Sequence, residues 1–517
     1  MTTPPLTAAD RPAEPTHSPH HPAAALCYLL LGVLLLVLFG VTATRGEWVS
    51  DSWIHAATVS EVARHPLHPL EPLTGERAPF AYFSPWAMVL GWLVKATGLS
   101  VWTVLTTAGL FCTALLLTAW YRLVRVFTAA RWAPPVALVL LCLLWGTGAW
   151  FWSGFPSLGT MTVGFTWPSV LAAALWFEAW RTALRVDSVR RAYAVAVFAV
   201  LPGLVLLIHP FTAVLAGVSV GITLLGRLRV APRRVLLVAV TAVLSGVLAT
   251  RWPWIDMTSM FGDKATFDSI HYPLYRDLGK NFLLLVLTVP ALLWRLRAAR
   301  SDPLFWTAAV CGAGAVVGGL THVWSLGRLG PGVALPGQLA LAVLLAESWD
   351  ARRRLTAASR ALVGALAGLT GVALVVGGNA NAWAVARALP DAQRASAERR
   401  TDALPPYPPM SWISPHVAGG GAGIANYWLV RRQLPVYGLR TVEPPWPSPG
   451  VPDESRRVIA EERMLGWQPA TRTERNRLLA RYHVRWIVWR PTARAPRWPF
   501  PGARRVACGP QRMALLR

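Results

Sequence analysis

Residues 51–73 read DSWIHAATVSEVARHPLHPLEPL, a polar island between apolar segments. It carries Asp51, His55, Glu61, His65, His68 and Glu71. A carboxylate a few residues beyond an apolar run is costly unless it is solvated or used. This stretch is therefore where chemistry would sit if the chain is an enzyme. In a helix starting near Asp51, that residue and His55 are four apart and share a face. Glu61 lies ten positions on, near that face but not on it. An Asp beside a His can act as a general base; a solvated polar loop is the plain alternative. HPLHPLEPL reads as extended, because each Pro disfavours helix in the residue before it. Its two histidines are more ordinary as loop residues than as metal ligands.

The surroundings set the class. The 517 residues are 54% hydrophobic and 15% charged, with mean hydropathy +0.41. That is too apolar for a soluble chain of this length. Several apolar runs approach the ~20 residues that cross a bilayer core. The expected fold is all-α and polytopic, with about eleven transmembrane helices and a small extracytoplasmic C-terminal α/β domain. The spans are placed near 25–43, 101–120, 134–150, 168–180, 193–208, 211–226, 235–250, 281–294, 303–320, 331–348 and 360–378. Residues 1–24 look like a disordered cytoplasmic tail. The run 25–43 is too long for a signal-peptide core and is read as a retained first span. Residues 25–378 form the membrane domain, with outer loops 44–100 and 251–280, and 379–517 form the C-terminal domain. Within the first loop, FSPWAMVLGWLVKATGL is short and interrupted by Lys95, which suits an interfacial or re-entrant helix.

The net charge of +25 does not imply nucleic acid. Only Lys95, Lys264 and Lys280 are lysines among the 50 basic residues, so Arg dominates. The loops after spans 2, 4, 6, 8 and 10 each hold three or four Arg, such as Arg352, Arg353 and Arg354. The loops after spans 3, 5 and 9 hold one, Arg328. Lys and Arg are retained on the inner side, which places the N-terminus inside and both long loops and the C-terminal domain outside. Of the five cysteines (27, 112, 142, 311 and 508), none has paired spacing, so neither disulfide nor zinc site is expected.

Arg328, in HVWSLGRLGPG, stands at the outer end of a span. A guanidinium suits bidentate phosphate binding, against the alternative of a snorkelling Arg. His322 lies close by in sequence and is a second polar contact; His271, in the 251–280 loop, is a further substrate-binding candidate. The aromatic residues of that loop fit a membrane interface better than a sugar platform. His209-Pro210 reads as a turn between spans. The C-terminal part begins with a Pro-rich linker and the Gly cluster GGGAG, and lacks GxGxxG and GxxxxGK[ST]. TERNRLLARYHVRWIVWRP reads as helix, turn and half-buried strand.

With DSWIHAATVSEVARHPL after the first span, YFSPWAMVLGWLVKATGLS before the second and RNRLLARYHVRWIVW near the end, the chain resembles the GT-C class of integral-membrane glycosyltransferases. The resemblance implies a sugar donor linked to polyprenyl phosphate, an extracytoplasmic glycan, lipid or protein acceptor, and inversion at the sugar carbon. It implies Asp51 as catalytic base, Glu61 as a second acid orienting substrate or metal, His55 as a substrate contact and Arg328 on the donor phosphate. Many such families show two acids separated by one residue, whereas this chain has Asp51-Ser52-Trp53. No metal ligand is therefore assigned, and a divalent cation stays open. The rival classes are a transporter or lipid-carrier flippase, which usually carries intramembrane charges or repeated halves, and a non-catalytic accessory protein.

Overall fold

The computed structural model describes residues 22–46, 48–256, 268–391, 393–394, 410–416, 421–446, 448, 450–490, 504–508 and 511–516. The predicted tail lies outside them except for residues 22–24, which belong to the first helix, α1 (Pro22–Thr44). Its Leu26, Leu29, Leu30, Leu34 and Val37 are exposed. In water such a face would be a liability; in a bilayer it is the lipid contact. Tyr28 ties the other face to the long helix α4 (Val101–Phe127), its hydroxyl donating to the Leu117 carbonyl at 2.6 Å. Between them lie α2 (Ser52–Arg64) and α3 (Pro85–Thr97). Ser84 caps α3, Pro85 starts it, and Gly98 ends it at φ 68°. At 13 residues, α3 is too short to cross a bilayer.

Each of the eleven apolar segments contains a helix, and the protein is a helical polytopic membrane protein. Among the described residues, nine helices are long and apolar enough to span. The two exceptions are the third and fourth segments. α5 (Ala133–Leu143) stops seven residues before the predicted end at 150. The chain then leaves the helix because Gly146 meets the backbone of Lys280 and Asn281; a Cβ there would lie 2.1 Å from the Lys280 carbonyl oxygen. The Thr147 N–H donates to that oxygen at 2.8 Å. Irregular backbone of this kind is tolerated at membrane depth only when packed in protein. After α6 (Leu158–Gly164), α7 (Pro168–Leu184) has 17 residues and is buried along most of its length.

Polar contacts join the remaining bundle. From α7, Trp176 and Trp180 donate indole N–H groups to Ser219 at 2.7 Å and Thr223 at 2.9 Å of α9 (Pro210–Arg227). α8 (Arg191–Ile208) and α10 (Pro232–Ala249) flank them. α11 (Leu278–Ala298) and α12 (Pro303–Thr321) precede the buried segment α13 (Trp324–Asp350), which opens with a 3-10 turn over Trp324–Leu329. Gln338 of α13 donates to the Leu144 carbonyl at 2.8 Å, using a backbone group released where α5 ends. α14 (Ala357–Ala386) is the last span.

Among the described residues, the C-terminal domain holds a five-stranded mixed sheet in the order β2-β1-β3-β5-β4. Its strands are β1 (Ala422–Ala425), β2 (Arg440–Thr441), β3 (Val484–Trp489), β4 (Arg504–Cys508) and β5 (Gln511–Leu515). β1 pairs parallel with β2 and β3; β5 pairs antiparallel with β3 and β4. The helix read from TERNRLLARY is Arg472–Arg481, and the strand read from VRWIVW is β3. α15 (Trp428–Gln433) packs against α2 and brings the domain onto the polar island.

Candidate functional site

α2 begins where the chain must turn out of α1. Ser50 adopts φ 47°, the left-handed region rare for a residue with a Cβ. Asp51 follows at the N-cap position, and its backbone carbonyl accepts the His55 N–H at 3.0 Å. The helix is pinned on its apolar side. Trp53 donates to the Trp48 carbonyl at 3.0 Å and packs edge-on against Trp102, while Trp167 donates to the Ser52 hydroxyl at 3.0 Å. Asp51 is half-buried, and its Oδ1 accepts from the Trp446 indole at 3.2 Å and the Ser50 hydroxyl at 3.3 Å. His55 is buried edge-on between Tyr82 and Trp86, with centroids at 5.3 and 5.8 Å. Burial pushes its imidazole down to about 4 despite the Asp51 charge, so it is neutral at pH 7. Burial, then Asp51, raises the Tyr82 hydroxyl, opposed by Arg432 and Arg328.

Arg328 sits in the 3-10 turn that opens α13. Asp268 holds that turn in place by accepting the Trp324 and Ser325 N–H groups at 2.9 and 2.7 Å. The guanidinium donates to the Ser153 carbonyl. It lies 4.3 Å from the Phe211 ring centroid and 5.5 Å from that of Trp152, and its Nε is buried without a partner among the described residues. Aromatic faces favour a cation electrostatically. They do not saturate it with acceptors, so an anion can still be received. His271 is buried against the same two rings, 5.9 Å from Trp152 and 5.4 Å from Phe211. It therefore buttresses the cage.

His209 completes this side. Pro210 keeps it out of the helical region, at φ −156° and ψ 91°, and so separates α8 from α9. Its Nδ1 caps α9 through the Thr212 N–H at 3.3 Å and meets the Thr212 hydroxyl at 2.7 Å, while its Nε2 lies 3.3 Å from the Ser153 hydroxyl. Burial, with Arg328 and His55 beside it, pushes it down to about 3. Read from sequence as a turn, His209 is both that turn and a wall of the site. A helix N-cap histidine followed by Pro was the available signal. Tyr82, Trp152, Arg432 and Trp446 carry no local signal of proximity.

The other candidates lie apart. His322 is exposed, at φ 58°, with its ring edge-on to Trp324 at 5.0 Å. Glu61 is fully buried and faces the C-terminal domain. It accepts from Arg440 at 2.7 Å, Arg64 at 3.3 Å and the Leu70 N–H at 3.1 Å, and contacts His65 Nδ1 at 2.8 Å. Burial alone would raise its carboxyl, but Arg440 foremost holds it below the usual range. Glu71 is likewise buried, with Thr74 and Leu73 N–H groups on one oxygen and the Ser448 hydroxyl 3.4 Å from the other. Among the described residues, no group of three or more His, Cys, Asp or Glu could hold a metal ion.

No family model matches the sequence, and no curated protein matches it. Solved structures do. ArnT from Cupriavidus metallidurans, bound to undecaprenyl phosphate, superposes with a TM-score of 0.52 at 15% identity, over 96% of this chain and 98% of that one. The Archaeoglobus fulgidus oligosaccharyltransferase in its apo form gives 0.47 at 13% identity, over 89% of this chain and 69% of the other. Both neighbours are GT-C glycosyltransferases. Superposition on ArnT along nearly the whole chain, an N-terminal span followed by the α2–α3 segment, and a C-terminal domain docked on that segment together show that this chain has the GT-C fold.

Proposed function

We propose that the protein transfers a sugar from a polyprenyl-phosphate carrier to a hydroxyl acceptor on the outer face of the membrane, with inversion. The observations that carry this reading are a half-buried carboxylate, Asp51, with only two long hydrogen bonds, and a guanidinium, Arg328, caged by Phe211 and Trp152 with its Nε buried without a partner among the described residues. A displacement at an anomeric carbon needs these two ends. Asp51 removes the acceptor proton as the new C–O bond forms. The sugar–phosphate bond breaks with its electrons going to the phosphate, whose charge Arg328 meets in a site shielded from water.

The solved ArnT carries undecaprenyl phosphate, which supports a lipid-phosphate donor. The Arg-rich loops supply the orientation: N-terminus cytoplasmic, α2 and the C-terminal domain outside. Glu61 has its acceptor capacity filled by protein groups, which supports a positioning role in place of direct contact with substrate or metal. His271 acts through the cage, and His322 stands apart from it against Trp324.

The test is purified protein in vesicles with a panel of polyprenyl-phosphate sugars and Asp51→Asn as the control. Transfer with one donor that Asp51→Asn slows by about 10²–10⁴-fold is expected. A reporter fused after Arg353 should read cytoplasmic and one fused at Gly420 extracytoplasmic; a cytoplasmic reading at Gly420 removes the orientation.

A further inference from the structure

Asp51 is not held by its own helix. It occupies the N-cap position, yet its side chain makes no capping hydrogen bond. The left-handed Ser50 before it sets how the chain enters α2. Its Oδ1 turns to the C-terminal domain, where the Trp446 indole N–H donates at 3.2 Å across a sequence separation of 395 residues. Trp446 is nearly buried, and the Arg432 guanidinium covers one ring face with Cζ 4.4 Å from the centroid. Arg432 also lies 4.7 Å from the Trp428 ring. The segment carrying Trp446 is fixed before and after it. The Thr441 N–H donates to the Leu73 carbonyl at 2.7 Å, Arg440 binds Glu61, and the Ser448 hydroxyl approaches Glu71.

We propose that Trp446 is a positioning residue for the base: it anchors one oxygen of Asp51 so that Oδ2 is presented to the acceptor hydroxyl. The active site is thus incomplete without the C-terminal domain. An indole suits this task because it is a donor only and cannot compete for the acceptor's proton. Its size and its Arg432 cover leave it little freedom, and a base displaced by about 1 Å can cost ~10²-fold in rate. The inference rests on Asp51 being the base.

The experiment is a double-mutant cycle on the full chain in vesicles, with radiolabelled donor so that residual turnover is measurable. Trp446→Phe keeps an aromatic ring and loses the N–H; kcat should fall about 10-fold, as for a hydrogen bond to a charged group, with the donor KM unchanged. Trp446→His, which restores a ring N–H, should recover part of the loss. In an Asp51→Asn background, Trp446→Phe should cost nothing further, because no base remains to be aimed. Should Trp446→Phe fail to fold, Arg432→Met uncovers the indole and should show the same background-dependent loss. Wild-type kcat in Trp446→Phe, or an equal loss in both backgrounds, overturns the positioning role while Asp51 stands. Near-normal turnover in Asp51→Asn alone overturns the base reading instead, and the inference with it.

Discussion

The two ends of α2 carry acids of similar chemistry in opposite circumstances. At the start, Asp51 is half-buried and receives two long hydrogen bonds, at 3.2 and 3.3 Å. At the far end, Glu61 has no exposed surface and is met by Arg440, Arg64, His65 and the Leu70 N–H. A carboxylate with four partners has no lone pair to spare and reports on architecture. One with two long hydrogen bonds on a single oxygen keeps acceptor sites free. Charge and spacing did not separate the two acids; the occupancy of their oxygens does.

The largest effect should come from the open end. Asp51→Asn keeps the shape and loses the basicity, so turnover should fall by about 10²–10⁴-fold while expression and thermal unfolding in detergent match the wild type. Normal turnover with an active donor would move the base elsewhere. Asp256 and Asp263 of the 251–280 loop would then be the next candidates, since Asp268 is spent on the Trp324–Leu329 turn. Asp263 lies outside the described residues.

Next is the caged cation. Arg328→Ala should weaken donor affinity by roughly 10–100-fold, the worth of a charge-assisted hydrogen bond, and acceptor affinity far less. Arg328→Lys should recover only part, since the planar fork and its stacking on Phe211 are lost. Unchanged donor affinity in titrations with the lipid phosphate would leave an interfacial Arg and no phosphate site.

The closed end should respond in stability. Glu61→Gln leaves Arg440 partly buried without its counter-charge, which should cost about 3 kcal/mol, the lower part of the range for a broken buried pair because Arg440 keeps some solvent. Thermal unfolding and proteolysis of the C-terminal domain would register it. The sign with pH follows from a folded-state carboxyl held below its ordinary value. The contribution is present at neutral pH and is lost as pH falls through that lowered value. The wild type should therefore lose docking in acid, and Glu61→Gln should lose this dependence. The smallest effect belongs to His322→Ala. The ring is exposed and lies edge-on to Trp324, so donor affinity should change by less than about 0.5 kcal/mol. A larger loss in a binding titration would bring His322 into the site.

The sequence by itself determined the membrane class, the eleven apolar segments, the helix–strand ending and the polar island, because each is written in local composition and period. It also singled out Asp51 and Arg328, since an isolated charge at an outer loop is visible without a fold. The early stop of α5 was not legible, because it depends on Lys280 backbone crossing at Gly146. Nor was the difference in how fully the oxygens of Asp51 and Glu61 are occupied. That was decided by Arg440 and Trp446, which lie 379 and 395 residues from their partners. Periodicity says which face a side chain leaves by; only chain folding brings up the donor that meets it there, and the number of donors met separates an available carboxylate from a spent one.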